Sequence, residues 1–174
     1  MSRPRPASGM CMALAFALAL LAGCGGPVRP PPPPLWFEGL PVSGSLADAR
    51  KAGFGGCVED RAKMRCRRGG VMLLGQGPYD AALDLVGSGG GGGFDQLTLW
   101  HDKDQGAVIA VTAALERQGW RSCLTGEGDK GDQAIYVLEG APVRISMDIS
   151  YWAKRRLRVL PAGNKREPGC PAAS

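Results

Sequence analysis

The chain has 174 residues, with 21 lysines and arginines against 16 aspartates and glutamates, which gives a net charge of +5 at pH 7. Two of the basic residues, Arg3 and Arg5, lie in a predicted signal, and the net charge of +3 that remains without them is too small to imply a nucleic-acid partner. The apolar run from Met12 to Gly23 is too short for a permanent transmembrane helix.

The first residues of the chain predict an export signal over residues 1–23. Arg3 and Arg5 precede the apolar run, which ends in "LAGC", Leu21 to Cys24. This tetrapeptide resembles the lipobox of bacterial lipoproteins. The resemblance implies cleavage before Cys24, a diacyl group on its thiol and an acyl chain such as palmitate on its amine. The alternative is an ordinary secretory peptide in which this cysteine is incidental.

The implied lipid anchor places the protein in the bacterial cell envelope. Such an anchor holds a protein firmly, because stable attachment needs about two acyl chains, so the membrane is the first expected partner. In bacterial lipoproteins an aspartate after the lipidated cysteine commonly retains the protein at the inner membrane. Gly25 occupies this position, which favours the outer membrane, with the protein facing the periplasm.

Residues 24–43 are interpreted as a lipid-anchored, Gly/Pro-rich tether. Five consecutive prolines, Pro30 to Pro34, favour a stiff polyproline II segment. We expect this segment to hold the folded domain away from the lipid surface. Recognition of the prolines by a groove-type domain is the alternative.

The folded domain is expected over residues 44–161, and a short helix begins it. Ser45 and Asp48 fit a capping box, and Gly53 fits the glycine that follows a helix. The pattern therefore predicts a helix over Leu46 to Ala52.

A second helix, in "DQGAVIAVTAALERQGW", repeats this pattern, with Asp104 as its expected cap. Both helices are followed by a glycine, a large aromatic residue and then a cysteine, in "GFGGC" and "GWRSC". Later segments alternate apolar and polar residues, as antiparallel strands with one buried face do. The sequence therefore predicts an α+β fold of two tandem helix-plus-four-strand repeats, about 44–101 and 104–161, with both helices packed on one face of the antiparallel sheet or sheets. The alternative is that two unrelated junctions share the same capping chemistry.

Two segments are expected to be flexible. The run "GSGGGGG", Gly87 to Gly93, has the composition of a flexible surface loop. It lacks the Gly-Lys-Ser/Thr ending of a phosphate-binding loop. Residues 162–174 are interpreted as a flexible C-terminal tail.

The cysteines that remain after the anchor are even in number, which favours disulfides in an oxidising compartment. A hairpin that turns at residues 61–62 would place Cys57 opposite Cys66, and this leaves Cys123 for Cys170. A pairing of Cys57 with Cys123 across the two repeats is the rival. Free buried thiols are the remaining alternative.

The sequence contains no recognisable catalytic constellation, and no cofactor or metal is expected. His101 is the only histidine and lies at the end of a predicted strand, where solvated histidines are common. Asp84 and Asp148 occupy equivalent positions in the two repeats and would form a carboxylate pair only if a twofold axis brought them together. Solvated strand residues explain both aspartates equally.

Aromatic and basic residues define a possible surface for an envelope protein partner. These residues are Trp100, Tyr151, Trp152, Lys154, Arg155, Arg156 and Arg158, to which Arg65, Arg67 and Arg68 of the first repeat add further positive charge. By analogy of fold alone, tandem helix-plus-strand units look like small periplasmic binding and inhibitor domains, including lipoprotein accessory subunits.

The expected function is that of a membrane-anchored envelope lipoprotein with a non-catalytic, protein-binding or accessory domain. One alternative is an envelope enzyme or carrier that binds an anionic glycan or lipid through His101 and the Lys/Arg patch. Another is a structural lipoprotein without a dedicated partner.

Overall fold

The structure is a computed structural model, and it describes residues 29–126, 131–149, 155–165 and 170. The predicted signal peptide and the lipidation site Cys24 lie outside the described residues. So do Tyr151, Trp152 and Lys154 of the predicted partner surface. Within the described residues, neither helix is both long enough and apolar enough to cross a membrane.

The described chain forms ten strands and two helices. In chain order these are β1 (Leu35–Phe37), β2 (Leu40–Ser43), α1 (Leu46–Lys51), β3 (Gly55–Asp60), β4 (Lys63–Leu73), β5 (Gln76–Val86), β6 (Leu97–Trp100), α2 (Ala107–Arg117), β7 (Arg121–Leu124), β8 (Gln133–Val137), β9 (Val143–Asp148) and β10 (Leu157–Pro161).

One antiparallel sheet of eight strands organises the domain, in the order β3-β4-β5-β6-β10-β9-β8-β7. Its central pair joins the two halves of the chain, since β6 pairs with β10 and places Thr98 opposite Arg158. A separate two-stranded sheet contains β1 and β2. Each helix is followed along the chain by four strands of the large sheet, while descent of the two halves from a duplicated segment stays a prediction.

The predicted α+β class is wrong, because the described part of the chain is mostly β, with 47% strand and 13% helix. The helices are short: α1 has six residues and buries only Ala49, whereas β4 and β5 have eleven residues each. Capping patterns locate the start of a helix but do not show how much of the domain it fills. The two helices therefore do not form a second layer comparable in size to the sheet.

The core lies on one face of the sheet, which we call the inner face. Alternation along the strands sends one set of side chains to this face, including the fully buried Leu83, Leu97 and Ile145. Phe54 and Trp120, the aromatic residues that follow the two helices, are both buried there. Their backbone N–H groups donate to the last turns of α1 and α2, as expected where an apolar residue follows a helix-ending glycine.

Part of the predicted tether packs in the folded domain. Leu40 and Val42 of β2 are buried in the core. The Ser43 hydroxyl donates a hydrogen bond of 2.6 Å to the Pro33 carbonyl, which holds the proline segment against the domain. The prolines at this point are therefore in contact with the domain, and their role as a spacer stays a prediction.

The glycine-rich run forms a hydrogen-bonded loop, and the flexibility expected from its composition stays a prediction. Gly90 and Gly93 are buried, and the loop is closed by backbone hydrogen bonds between Val86 and Gly93 at 2.8 Å and between Gly92 and Val86 at 3.0 Å. The run Pro30–Pro33 packs beside it. Glycine is required here because the chain makes close backbone contacts that a side chain would block.

The disulfide prediction is confirmed, with Cys57 bonded to Cys66 and Cys123 bonded to Cys170. The first pair belongs to the β3–β4 hairpin, in which Asp60 lies opposite Lys63 across the predicted turn.

The described part of the C-terminal tail is attached to the sheet, and the flexibility predicted for residues 162–174 stays a prediction. The Asn164 carbonyl accepts a hydrogen bond of 2.6 Å from Arg144 of β9, and Cys170 is bonded to β7 through Cys123. Ile135 and Leu160, whose side chains point away from the inner face, are nevertheless buried. The tail segment therefore lies on the outer face of the second half of the sheet.

Candidate functional site

The outer face of the first half carries a shallow groove of about 260 Å³, which we call the arginine groove. Its two walls carry arginines, and its floor is made mainly of smaller side chains. It is lined by Arg65, Arg67, Ala82, Asp84, Gln96, Thr98, Trp100, Asp102, Arg156 and Arg158.

Strand register explains why these residues meet. Arg65 and Arg67 are two positions apart on β4 and therefore point to the same face, while Cys66 between them points into the core. Arg67 lies opposite Ala82, Ala82 opposite Thr98, and Thr98 opposite Arg158. The groove thus runs along the strands, between a wall on β4 and a wall at β10, over a floor on β5 and β6.

A bidentate ion pair closes one end of the floor. Nε and Nη2 of Arg65 each donate a hydrogen bond of 2.6 Å to the carboxylate of Asp84. Partial burial raises the pKa of Asp84, but the hydrogen bonds and charge of Arg65, with the charges of Lys63 and Arg156, outweigh this effect and hold the pKa below its usual value. The same hydrogen bonds raise the pKa of Arg65. Both groups are therefore ionised at neutral pH, and Asp84 adds little net negative charge to the groove.

The positive charge that remains available belongs to the walls. Arg67 and Arg156 are exposed, and neither makes an ion pair with another residue that the structure describes. At the other end of the groove, Trp100 is half-buried and its indole Nε1 donates a hydrogen bond of 3.0 Å to Asp102. The groove therefore offers guanidinium groups beside one fixed aromatic ring.

The predicted partner surface is brought together in part. Trp100, Arg156 and Arg158 line the groove. Arg155 does not line it, and its backbone N–H donates a hydrogen bond of 2.7 Å to the Gln105 side chain. Sequence reasoning placed positive charge near Arg65 and Arg67 but missed the small floor residues. Alternation along β5 and β6 was the available signal for their outward direction.

His101 has a structural role in the turn that leads into α2. Its Nδ1 accepts hydrogen bonds from the backbone N–H groups of Lys103, at 3.3 Å, and Asp104, at 2.9 Å. Asp104 in turn accepts a hydrogen bond of 2.7 Å from the Gly106 N–H. The imidazole therefore caps a turn, as does the neighbouring carboxylate.

The acidic residues do not assemble into a second site. Asp84 on β5 and Asp148 on β9 are separated by β6 and β10, so the two carboxylates do not meet. Within the described ranges, no group of three or more histidine, cysteine, aspartate or glutamate side chains is arranged to hold a metal ion.

The Arg65–Asp84 pair predicts a pH-dependent contribution to stability. Because the pKa of Asp84 is lowered in the folded state, ionised Asp84 stabilises the fold above about pH 4, the usual aspartate pKa. This contribution to stability is lost as the pH falls through the lowered pKa. Asp84→Asn should therefore lower the free energy of unfolding at pH 7 by up to about 1 kcal/mol, since both side chains are partly exposed. Urea unfolding at pH 7 and at pH 2 checks this, and an equal difference at both pH values would contradict it.

Comparison with known proteins identifies no relative. No family model matches this chain, and neither a curated protein nor a solved structure matches it. The geometry and the charge of the arginine groove are therefore the basis for a proposal about function.

Proposed function

We propose that the protein is an envelope lipoprotein, anchored through Cys24 and facing the periplasm, whose domain is a non-catalytic module that docks a protein partner in the arginine groove. The observation that carries this proposal is the exposed pair Arg67 and Arg156 on opposite walls of a groove that also contains Trp100. Arginine and tryptophan are the residue types most enriched in the energetically dominant parts of protein interfaces.

The disulfides support an oxidising compartment such as the periplasm. The lipobox resemblance at Leu21 to Cys24 supports the anchor, and Gly25 supports the outer membrane. A sheet held by a hairpin disulfide at one edge and a tail disulfide at the other provides a rigid platform. Rigid platforms suit binding, because little conformational freedom is lost when the partner arrives.

Crosslinking in intact cells tests the proposal. The wild-type protein, Arg67→Glu/Arg156→Glu and the charge-matched control Arg50→Glu/Arg117→Glu would be crosslinked, extracted in mild detergent and compared for proteins recovered at a fixed ratio. The control residues are basic residues in the last turns of the two helices and do not line the groove. Cys24→Ala reports on the need for the anchor.

We expect the groove variant to lose a partner that the wild type and the helix control retain, by at least about tenfold if two charge-assisted contacts are lost. Cys24→Ala should lose the same partner through mislocalisation. Unchanged recovery with the groove variant would exclude the groove as the docking surface.

A carrier or enzyme that holds an anionic glycan or lipid is the second candidate, and the position of Trp100 beside the arginines favours it, since an aromatic ring offers a flat apolar surface. In that case His101, which directly follows this tryptophan, would matter for activity. His101→Asn would separate the two candidates: a carrier or enzyme that uses the imidazole should lose function, whereas partner capture by a docking module should persist.

A further inference from the structure

We propose that the end of the sheet at which the prolines Pro30–Pro33 contact the domain is its membrane-facing surface, and that this end rests against anionic lipid headgroups. The inference rests on the proposed anchor at Cys24, and it adds an orientation that the docking function does not require. The partner of the arginine groove then approaches from the periplasmic side.

The proline segment meets the domain at one end of the sheet. An added Cβ at Gly93 would lie 2.7 Å from Cβ of Pro31, so the segment is in close contact with the glycine-rich loop. Arg29, just before the prolines, lines a cleft with Asp95 and Lys165. We call this end of the sheet, with the β3–β4 turn, the glycine-rich loop and the residues after β10, the docked end.

This contact shortens the free part of the chain between the lipid and the domain. Arg29 is five positions from Cys24, so the chain between them spans at most about 18 Å. Without the contact, the twenty positions from Cys24 to Gly44 would span up to about 70 Å. The docked prolines therefore keep the domain within a short distance of the membrane surface.

The short connection also restricts how the domain can turn. Lys63 pairs with Val86 at the docked end, and Trp100 pairs with Asp80 towards the other end. Val86 and Asp80 are six positions apart on β5, so the two levels lie about 20 Å apart along the strands. A connection of at most about 18 Å is too short for the domain to invert and bring its Trp100 end to the lipid.

The docked end carries exposed basic side chains. The β3–β4 turn lies beside the glycine-rich loop, because the Ala62 carbonyl accepts a hydrogen bond of 2.8 Å from the Gly87 N–H. Basic residues of this turn, of the start of β4 and of the segments before the prolines and after β10 therefore share one end, and they are Arg29, Arg61, Lys63 and Lys165. Basic residues near a membrane surface are attracted to anionic headgroups by about 1 kcal/mol each.

Apolar and acidic residues at the same end determine the strength of this attraction. The side chains of Val86 and Leu138 are apolar but exposed, at 50% and 38%, and such side chains can insert at the headgroup level. Asp60, Asp95 and Glu139 also lie at this end and reduce the net attraction. The short connection therefore supplies most of the orientation, and the surface chemistry adds to it.

Photocrosslinking of the acylated protein to lipid tests the inference. The protein would be purified from membranes and placed in vesicles of phosphatidylethanolamine and phosphatidylglycerol, with p-benzoylphenylalanine in place of Lys63 or of Lys103. Lys103 is the matched position, since it is also an exposed lysine but follows Trp100 at the other end of the sheet. Mass spectrometry measures the crosslinked lipid and, in the same samples, the acyl chains on Cys24.

We expect the probe at position 63 to crosslink lipid at least about fivefold more than the probe at position 103, which corresponds to an orientational preference of about 1 kcal/mol. Insertion of about 20 glycine and serine residues after Gly26 adds up to about 70 Å of free chain. This insertion should lower crosslinking at position 63 towards that at position 103. The same insertion after Ser174 leaves the connection unchanged and should preserve the difference.

Equal crosslinking at the two positions of an acylated protein would overturn the inference, as would stronger crosslinking at position 103, and in both cases the docking function stands. A difference that survives the insertion after Gly26 would overturn the role given to the docked prolines. If Cys24 carries no acyl chains, the anchor and the orientation fail together. Loss of partner capture in the Arg67→Glu/Arg156→Glu variant would still show that the groove docks a protein.

Discussion

Replacement of Gly93 by alanine should destabilise the domain by about 3 kcal/mol, a large effect for a residue in a glycine-rich loop. Gly93 has φ +67°, where a side chain is strained. Its added Cβ would lie 2.3 Å from the Gly44 carbonyl oxygen and 2.7 Å from Cβ of Pro31. The loop, the end of β2 and the docked prolines would therefore have to separate.

Gly89→Ala is the matched control in the same loop. Gly89 is exposed, does not have a positive φ, and an added Cβ would meet nothing within 4 Å. Its free energy of unfolding should stay within about 0.5 kcal/mol of the wild type. Urea unfolding followed by tryptophan fluorescence measures both variants. Equal stability of the two would mean that the prolines and the loop are not packed as described.

Local signals predicted the start of α1 and the first hairpin well. Ser45 and Asp48 form the predicted capping box, with the Ser45 N–H donating to the aspartate at 2.8 Å. The residues between Cys57 and Cys66 form the expected tight turn, and the disulfide follows from it. These features depend on residues within about ten positions of each other, which is the range over which sequence patterns carry the most information.

Features that depend on contacts between distant segments were not predicted. The composition of "GSGGGGG" suggested flexibility, yet backbone contacts with Gly44 and the prolines hold Gly93 in place. The fold class was wrong for a related reason. The sequence showed two capped helices clearly. The long strands β4 and β5 were harder to recognise, because their pairing register shifts near Gly69 and Gly70. The alternation of apolar and polar residues fails at such points.

The sequence indicated the charged residues of the candidate site but not the geometry that brings them together. Trp100, Arg156 and Arg158 were identified by residue type. Their meeting with Arg67 requires β6 to pair with β10, which joins residues about 60 positions apart in sequence and has no local signal. The low floor at Ala82 can likewise be recognised only once the strand register is known.

Removal of the Cys123–Cys170 disulfide should have the largest effect on stability. This bond closes 47 residues of chain, whereas Cys57–Cys66 closes nine. A model based on loop-closure entropy gives a loss of about 4 kcal/mol for the longer loop and about 2.6 kcal/mol for the shorter one. Sγ of Cys170 also lies 3.6 Å from the carbonyl oxygen of the buried Ile135, so loss of the tail disulfide should expose apolar surface there.

Urea unfolding of the double variants Cys123→Ala/Cys170→Ala and Cys57→Ala/Cys66→Ala tests whether the tail disulfide contributes more to stability than the hairpin disulfide. Alanine is preferred to serine because Cys66 is fully buried, where a hydroxyl without a partner would add its own cost. Hydrogen exchange in β8 should rise in the tail variant before global unfolding, because β8 carries Ile135. If the tail variant unfolds at the wild-type urea concentration, the tail detaches without unfolding the sheet. In that case the tail would cover the outer face of the second half without contributing to the stability of the sheet that forms the arginine groove.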